Sequence, residues 1–438
     1  MTKNTTKDVI VMGFALFSMF FGAGNLLFPP YLGMVSGSKW IISLLGFVVA
    51  DVGLALLVIV AVSKCNGELD NVLNRAGNRL AKLIWVAAVL CIGPFLAIPR
   101  TAATTYEMGV MPLIGDLGTT GSIAFSVLFF LLTLILTIKP SKVVDILGKF
   151  LTPVLLIALI ILIIKGFMTP IGDFSQTQMI ENNLFSEGIT QGYMTMDALG
   201  AGVLLAVIIT SIGARGYTNP EDKMKLMLKA GLIAGIALTV IYGGLVYLGA
   251  TLSNLPGFDA KTAQASLMVI ITENLLGYPG KLMLGVIVGM ACLTTSIGLT
   301  SAAGQYFKRI TKGKLSYEKV VIGICVFSAI VGSFGVDMII KYSVPMLQLV
   351  YPVLVLLSVM SIFGNKIKNN NAFRGGAYAT LLTSVMSVAN GLFGVAPFMT
   401  TLPLAELGFN WIIPAIVGAL VGSLVRTKEE QSRFTQFM

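Results

Sequence analysis

Two aspartates lie within long apolar runs, and they are the first candidates for chemistry in this sequence. Asp51 stands in the middle of one run, and Asp197 stands near the start of another. An ionisable side chain among apolar residues is costly unless it is paired, and it often marks a functional site. Asp197 is predicted to organise irregular backbone or to interact with a cation, with a protonated or helix-capping carboxyl as the alternative. Asp51 is predicted to pair with another buried polar group.

A glycine-rich stretch interrupts each of two apolar segments. Residues 21–28 read FGAGNLLF, residues 199–206 read LGAGVLLA, and five of the eight positions are identical. Glycine weakens a helix, and Pro29 and Pro30 remove backbone donors just beyond the first stretch. Free backbone groups survive at membrane depth only against protein, water or a bound solute. Corresponding interrupted segments are typical of a secondary transporter's binding site. Helix packing through small residues is the alternative.

The backbone is predicted to be non-helical near residues 22–25 and 198–202. Half-helices that meet at such interruptions suit a zwitterion. A half-helix that begins near Asn25 directs free amides at the gap, where they favour a carboxylate. A half-helix that ends near Asp197 directs free carbonyls there, where they favour an ammonium group. The predicted substrate-binding residues are Gly22, Ala23, Gly24, Asn25, Met196, Asp197, Ala198, Gly200, Ala201 and Gly202.

A later apolar run carries adjacent hydroxyl side chains at Thr294, Thr295 and Ser296. Hydroxyl oxygens beside freed carbonyls can bind Na⁺ without contributing a full charge. The alternative is that each hydroxyl bonds to a carbonyl of its own helix, one turn earlier.

Arg100 is the one basic residue inside a run that proline and glycine should bend. Gly93 and Pro94 precede it, and Pro99 adjoins it. A long basic side chain near the end of a span commonly reaches the membrane interface. Arg100 is therefore predicted to extend to the outer interface, with an ion pair in an outer gate as the alternative.

The composition places all these residues in a membrane. The chain has 438 residues, of which 56% are hydrophobic and 11% are charged, and its mean hydropathy is +0.88. Soluble proteins carry about 25% charged residues. Histidine is absent, and no hydrolase or nucleotide-binding motif occurs, so neither an enzyme nor a cofactor is predicted. The four cysteines lack metal or disulfide spacing, and no removable signal peptide is predicted.

Apolar runs long enough to cross a bilayer, about 17–25 residues each, divide the chain into twelve predicted spans. They lie near residues 8–33, 40–62, 82–106, 121–138, 143–167, 189–213, 226–252, 280–304, 318–336, 342–363, 374–394 and 403–425.

The basic residues predict the orientation. With both termini in the cytoplasm, only six of the 30 lysines and arginines fall on the outer side, namely Lys39, Arg100, Lys165, Lys261, Lys281 and Lys341. This asymmetry is the positive-inside pattern of a membrane protein. The net charge of +10 is therefore interpreted as a topological signal, and no nucleic-acid partner is predicted.

This topology relates the two glycine-rich stretches. The first lies in span 1, which runs outward, and the second lies in span 6, which runs inward. Residues 8–167 and 189–363 then form two inverted five-helix repeats, and residues 374–425 add two helices. An all-α integral membrane protein with such a repeat and with broken helices 1 and 6 has the plan of LeuT-like transporters.

Four ordered motifs resemble those of the bacterial branched-chain amino acid:cation symporters, the BrnQ-type carriers (LIVCS). They are FGAGNLLFPP at 21–30, GPFLAIPRTA at 93–102, MDALGA at 196–201 and CLTTSIGL at 292–299. The resemblance covers essentially the whole chain. It implies a LeuT-like fold of the amino acid–polyamine–organocation superfamily, located in the bacterial cell membrane. It also implies uptake of leucine, isoleucine and valine driven by Na⁺ or H⁺.

The wider LeuT-type fold implies a location for the coupling ion. Its sodium sites use the broken first helix and hydroxyls of the eighth. The corresponding metal-binding residues in this sequence are Ser18, Phe21, Asn25, Thr294, Thr295 and Ser296. The resemblance favours Na⁺ over H⁺, while the two intramembrane aspartates keep protons as the alternative.

Three alternatives to this interpretation remain open. The cargo could be another neutral amino acid, the coupling ion could be a proton, or the protein could be an amino acid sensor. No obligate protein partner is evident in the sequence.

Overall fold

The computed structural model describes residues 5–425, except residues 66–68, 139–141, 215, 218, 365 and 368. The two ends of the chain, and with them the predicted cytoplasmic termini, lie outside the described residues. Helices form the first half of the described chain as α1 (Thr5–Phe20), α2 (Ala23–Ser36), α3 (Trp40–Val48), α4 (Leu54–Lys64), α5 (Leu69–Asn74), α6 (Asn78–Leu90), α7 (Ala97–Thr105), α8 (Met111–Ile114), α9 (Gly118–Ile138) and α10 (Lys142–Met168).

The second half is likewise helical, and no strand occurs in the described part of the chain. Its helices are α11 (Leu184–Thr195), α12 (Asp197–Ala214), α13 (Pro220–Ala250), α14 (Gln264–Ile310), α15 (Tyr317–Gly332), α16 (Val336–Ile362), α17 (Asn370–Phe393) and α18 (Ile412–Leu424). π-Helical turns at Val49–Gly53, Cys91–Phe95 and Tyr106–Val110 join several neighbours in the first half.

The described helices include several that can cross a membrane. By length and composition, 6 stretches qualify, namely Ala23–Lys64, Asn78–Ile114, Gly118–Ile138, Glu221–Ala250, Gln264–Ile310 and Val336–Ile362. Large apolar side chains point outward, such as Leu128 and Ile135 of α9 at 64% and 60% exposure. Lipid is the environment in which such a surface is stable. The chain is thus a multi-pass membrane protein, and the count of twelve crossings stays a prediction.

The first glycine-rich stretch separates α1 from α2. Phe21 and Gly22 are not helical, and Gly22 is extended, with φ −120° and ψ −164°. The irregular segment was predicted over residues 22–25, but Ala23, Gly24 and Asn25 already form the first turn of α2. The Asn25 side chain explains this early start, since its Oδ1 accepts a hydrogen bond from the Gly22 amide at 2.9 Å. Such a bond satisfies a donor at a helix N-terminus.

The second interruption differs from the prediction of irregular backbone at 198–202, which is wrong. A single residue, Met196, separates α11 from α12 in the left-handed conformation, with φ 67° and ψ 17°. The Gly200 amide bonds to the Met196 carbonyl at 2.8 Å, so helical hydrogen bonding resumes at once. The glycines at 200 and 202 therefore lie inside α12. One left-handed residue is sufficient to redirect the chain.

The bend predicted in span 3 is present. Gly93 has φ −96° and ψ −127°, which are not helical values, within the turn Cys91–Phe95. The last predicted span, in contrast, begins too early at residue 403. Leu404 and Gly408 adopt left-handed conformations, which prevents a continuous helix there, and α18 begins only at Ile412.

Close packing of α13 on α2 holds the first interruption in place. A Cβ on Gly33 would lie 1.8 Å from the carbonyl oxygen of Val246, and one on Gly249 would lie 1.9 Å from that of Pro30. Only glycine permits two backbones to approach so closely. The beginning of α2 is thereby fixed against the helix that carries Tyr242.

Candidate functional site

The two interruptions face one small cavity of about 50 Å³. Elements α1, α2, α7, α11, α12 and α14 all contribute to its wall, as does the bend that precedes α7. Its lining residues are Met19, Phe20, Gly22, Ala23, Gly24, Asn25, Ile92, Ala97, Arg100, Thr101, Thr195, Met196, Asp197, Gly200, Thr295 and Leu299. A wall of apolar side chains with a few convergent polar groups is the usual composition of a small-molecule site.

Asn25 joins three helices at the edge of this cavity. Its side chain is 1% exposed. Besides accepting from the Gly22 amide, it donates from Nδ2 to Asp197 Oδ2 at 3.0 Å and to the hydroxyl of Tyr242. The start of α2 is thus bonded to the start of α12 and to the middle of α13. A buried side-chain amide with all its groups engaged fixes the relative positions of its neighbours.

Asp51 lies in the π-helical turn Val49–Gly53 and is 0% exposed. Its Oδ1 accepts a hydrogen bond from Thr195 Oγ1 at 2.6 Å, so the predicted pairing with a buried polar group is confirmed. The Thr195 hydroxyl also lies 2.7 Å from the Gly192 carbonyl. Since a hydroxyl carries one proton, it can donate to only one of these acceptors at a time.

Asp51 and Asp197 belong to the same buried network. The Asp197 amide donates to Thr195 Oγ1 at 3.4 Å, and the two carboxyl groups are close enough to interact electrostatically. Neither forms an ion pair with a basic side chain among the described residues. Two adjacent buried carboxyl groups cannot both ionise cheaply, and they can share a proton or bind a cation.

Arg100 does not reach the outer interface, so that prediction is wrong. Its side chain is only 3% exposed, and Nη1 donates to the Met194 carbonyl at 2.6 Å. The guanidinium carbon lies 5.2 Å from the centre of the Phe28 ring. The bend at Gly93 redirects the chain before α7, and the side chain of Arg100 consequently points into the protein.

The residues predicted to bind the coupling ion are only partly brought together. Thr295 lines the cavity, and its Oγ1 would lie 3.8 Å from a Cβ on Gly22. The Thr294 hydroxyl donates to Ala291 of its own helix at 2.9 Å. Ser296 is directed at α9, with its oxygen 3.2 Å from Thr133 Oγ1.

Of the remaining predicted site residues, some line the cavity and others do not. Ser18 lies within α1, and Phe21 lies at the interruption itself. Among the predicted substrate-binding residues, Gly22, Ala23, Gly24, Asn25, Met196, Asp197 and Gly200 line the cavity. Ala198, Ala201 and Gly202 do not line it, and the two alanines are buried in packing at 1% and 0% exposure.

Several residues of the cavity and of the adjoining polar network were not predicted from the sequence. Thr195 and Tyr242 connect the polar network, and Met19, Ile92 and Leu299 are apolar parts of the wall. A polar residue within an apolar run, such as Tyr242, carries a weak signal. The apolar residues carry none, since any apolar side chain of a span can face lipid, protein or a cavity.

The fold is one that solved structures of membrane transporters share. Over 94% of the chain, the structure resembles Mhp1, a nucleobase-cation-symport-1 family transporter, in a closed conformation with bromovinylhydantoin bound. The TM-score is 0.62 at 12% identity, covering 91% of that chain. It also resembles MhsT in complex with L-phenylalanine, with a TM-score of 0.51 at 18% identity, covering 94% and 97% of the two chains. Identities this low establish the fold alone.

The chain belongs to the family described as branched-chain amino acid transport protein, whose model matches residues 5–429. It is 36% identical to the branched-chain amino acid permease BraB of Bacillus subtilis over 427 residues, or 95% of each chain. It is 35% identical to a putative branched-chain amino acid carrier protein of Staphylococcus epidermidis over 442 residues, covering 97% and 98%. The family resemblance found in the sequence is confirmed, and the protein is a transporter rather than an enzyme.

Proposed function

We propose that this protein imports leucine, isoleucine and valine into the bacterial cell by symport with a cation, through alternating access. The names of its relatives in Bacillus and Staphylococcus favour this cargo. The observation that carries the proposal is that two interrupted helices face one buried cavity with polar groups from both. Exposed half-helix ends at membrane depth are the usual means of binding a charged solute there.

In the proposed complex, the first-turn amides of α2 bind the substrate carboxylate. The N–H groups of Ala23, Gly24 and Asn25 have no acceptor within their own helix, and the helix dipole favours a negative charge there. The ammonium group lies at the carbonyl end of α11, beside the Met194 carbonyl that already accepts a hydrogen bond from Arg100. Met19, Ile92 and Leu299 provide apolar contact for a branched side chain.

Transport requires the cavity to open alternately to the two sides. A volume of about 50 Å³ accommodates only a few water molecules, whereas a leucine is considerably larger. The helices around the cavity must therefore separate to admit the substrate. We propose that the inverted repeats 8–167 and 189–363 move relative to each other, in a chain of twelve spans with both termini cytoplasmic.

Sodium is the proposed coupling ion. We place the ion between the hydroxyl of Thr295 and the side-chain oxygen of Asn25, two residues that line the same cavity, with the backbone carbonyls of Ser18 and Phe21 as the further ligands that the LeuT-type fold implies. Asn25 Oδ1 already accepts one hydrogen bond, and a carbonyl oxygen has two lone pairs, so one remains for the ion. Thr294 and Ser296 are less suitable, because their hydroxyls are engaged with Ala291 and Thr133.

Proton coupling is the second candidate, and the buried carboxyl pair favours it. The Thr195 hydroxyl donates to the Asp51 carboxyl and accepts from the backbone amide of Asp197, and neither carboxyl forms an ion pair with a basic side chain among the described residues. A proton that binds and leaves this pair would change the hydrogen bonds of Thr195 and Asn25. Those bonds connect both interruptions.

Uptake into proteoliposomes tests the proposal. Radiolabelled leucine should accumulate when a sodium gradient is imposed, and unlabelled isoleucine and valine should compete better than other neutral amino acids. A proton gradient alone should drive less accumulation. Liposomes without protein serve as the control. Binding without accumulation under either gradient would indicate a sensor and contradict the proposal.

A further inference from the structure

The guanidinium of Arg100 is a buried charge that the protein itself leaves largely unpaired. It can donate five hydrogen bonds, yet its one hydrogen bond to the described residues is that from Nη1 to Met194. The Nε group has no acceptor among those residues, and no carboxylate forms an ion pair with the guanidinium there. An unpaired charge in such a place is strongly unfavourable, so an anionic ligand would stabilise it.

Its position agrees with that of an anion bound at α2. A Cβ on Gly24 would lie 2.8 Å from Arg100 Nη2 and 3.2 Å from Cζ. The guanidinium therefore lies beside the first turn of α2, whose residues Ala23, Gly24 and Asn25 line the same cavity. Two independent features, a helix N-terminus and a buried arginine, converge on one space and favour the same sign of charge.

Asp197 and Arg100 do not form an ion pair. Asp197 lies within electrostatic range of the guanidinium, but it is not an ion-pair partner, and its Oδ2 accepts a hydrogen bond from Asn25. Its carboxyl is held in the network with Asp51 and Thr195. The forked donors of Arg100 are consequently available to another carboxylate, whose geometry they match.

We propose that Arg100 binds the carboxylate of the transported amino acid, together with the amides at the start of α2. This inference rests on the proposed function and adds a specificity-determining residue to it. Because the same side chain bonds to Met194 at the end of α11, a bound carboxylate would connect both interrupted helices through one arginine. The protein would then select amino acids over amines that have the same side chain.

A comparison of two ligands isolates this role. Leucine carries the carboxylate, and leucinamide replaces it with a neutral amide while keeping the ammonium group and the side chain. In equilibrium binding to purified protein, wild type should prefer leucine. In Arg100→Gln, leucine affinity should fall by about 10- to 100-fold, while leucinamide affinity should change little, so that the preference collapses.

A matched control and a second variant complete the test. Arg75→Gln removes an arginine that bonds to Gly364 and Asn370, outside the cavity, and should leave the preference unchanged. If Arg100→Gln does not fold, Arg100→Lys is used instead. It retains the positive charge but lacks the paired donors of the guanidinium, and it should lose part of the preference for leucine over leucinamide. Equal loss for both ligands, or an unchanged preference, in whichever variant folds would assign Arg100 a structural role and overturn the inference. Failure of wild type to bind leucine would instead contradict the proposed function itself.

Discussion

The hydroxyl of Thr295 belongs to the proposed sodium site, and Thr295 lines the cavity. We predict that Thr295→Val will raise the sodium concentration for half-maximal leucine uptake several-fold, because the change deletes one oxygen ligand and largely retains the side-chain shape. Leucine affinity at saturating sodium should fall less. Binding linkage is reciprocal, so a weaker ion site also weakens the coupling to substrate.

Thr294→Val is the matched control for this prediction. It deletes a neighbouring hydroxyl that bonds to Ala291 within α14, and the sodium dependence should remain close to that of wild type. A larger effect at 294 than at 295 would show that the ion lies elsewhere.

Asp197 distinguishes proton coupling from sodium coupling. If protons drive transport, Asp197→Asn should abolish accumulation under an imposed pH gradient and preserve exchange of labelled for unlabelled leucine, because the amide cannot titrate. Proton-driven accumulation is compared with exchange in the same liposomes. Asp116→Asn, at an exposed acid outside the network, is the control. Full proton-driven accumulation by Asp197→Asn would exclude this carboxyl as the proton carrier.

The packing of α13 on α2 depends on backbone contact at Gly249. Gly249→Ala should lower the free energy of unfolding by about 1–3 kcal/mol, because the Cβ of the alanine would lie only 1.9 Å from the carbonyl oxygen of Pro30. Leucine uptake should fall with it, since the displaced helix carries the site. The apparent melting temperature in detergent measures the first effect.

Gly243→Ala, also in α13, tests whether the effect comes from the close approach. The nearest atom to its Cβ would be Leu44 Cδ2 at 3.6 Å, an ordinary contact, and alanine favours a helix over glycine. Stability should be unchanged or slightly higher. A similar loss of stability in both variants would mean that the effect of Gly249→Ala does not come from the close contact between α2 and α13.

The topology of the whole molecule can be tested by labelling single cysteines in intact cells. Asp259 and Lys314 are both exposed, in the connections that precede α14 and α15. The basic-residue asymmetry predicts the first outside and the second inside. A membrane-impermeant maleimide should label Asp259→Cys but not Lys314→Cys, and both should react after permeabilisation. The reverse pattern would invert the proposed orientation.

Much of this architecture could be predicted from the sequence, because membranes impose strong rules on composition. Apolar runs of fixed length and their flanking charges indicated a multi-pass chain. The interruption at Gly22 was predictable because two closely spaced glycines, followed by two prolines, disfavour a continuous helix. Asp51 was expected to find a partner, since an unpaired buried carboxyl is costly, and it pairs with Thr195.

The predictions that failed depended on the direction in which a side chain points and on contacts between residues that are distant in the sequence. Glycines at 200 and 202 were expected to be irregular, yet Met196 alone interrupts the chain, since a left-handed residue needs tertiary support that no local pattern reveals. Arg100 was expected to point outward, but its direction depends on how the preceding bend rotates α7. Among adjacent hydroxyls, only the helix packing decided that Thr295 faces the cavity while Ser296 faces Thr133. Residue types and spacing determine which groups are available, whereas helix rotation and contact across the chain decide which of them meet.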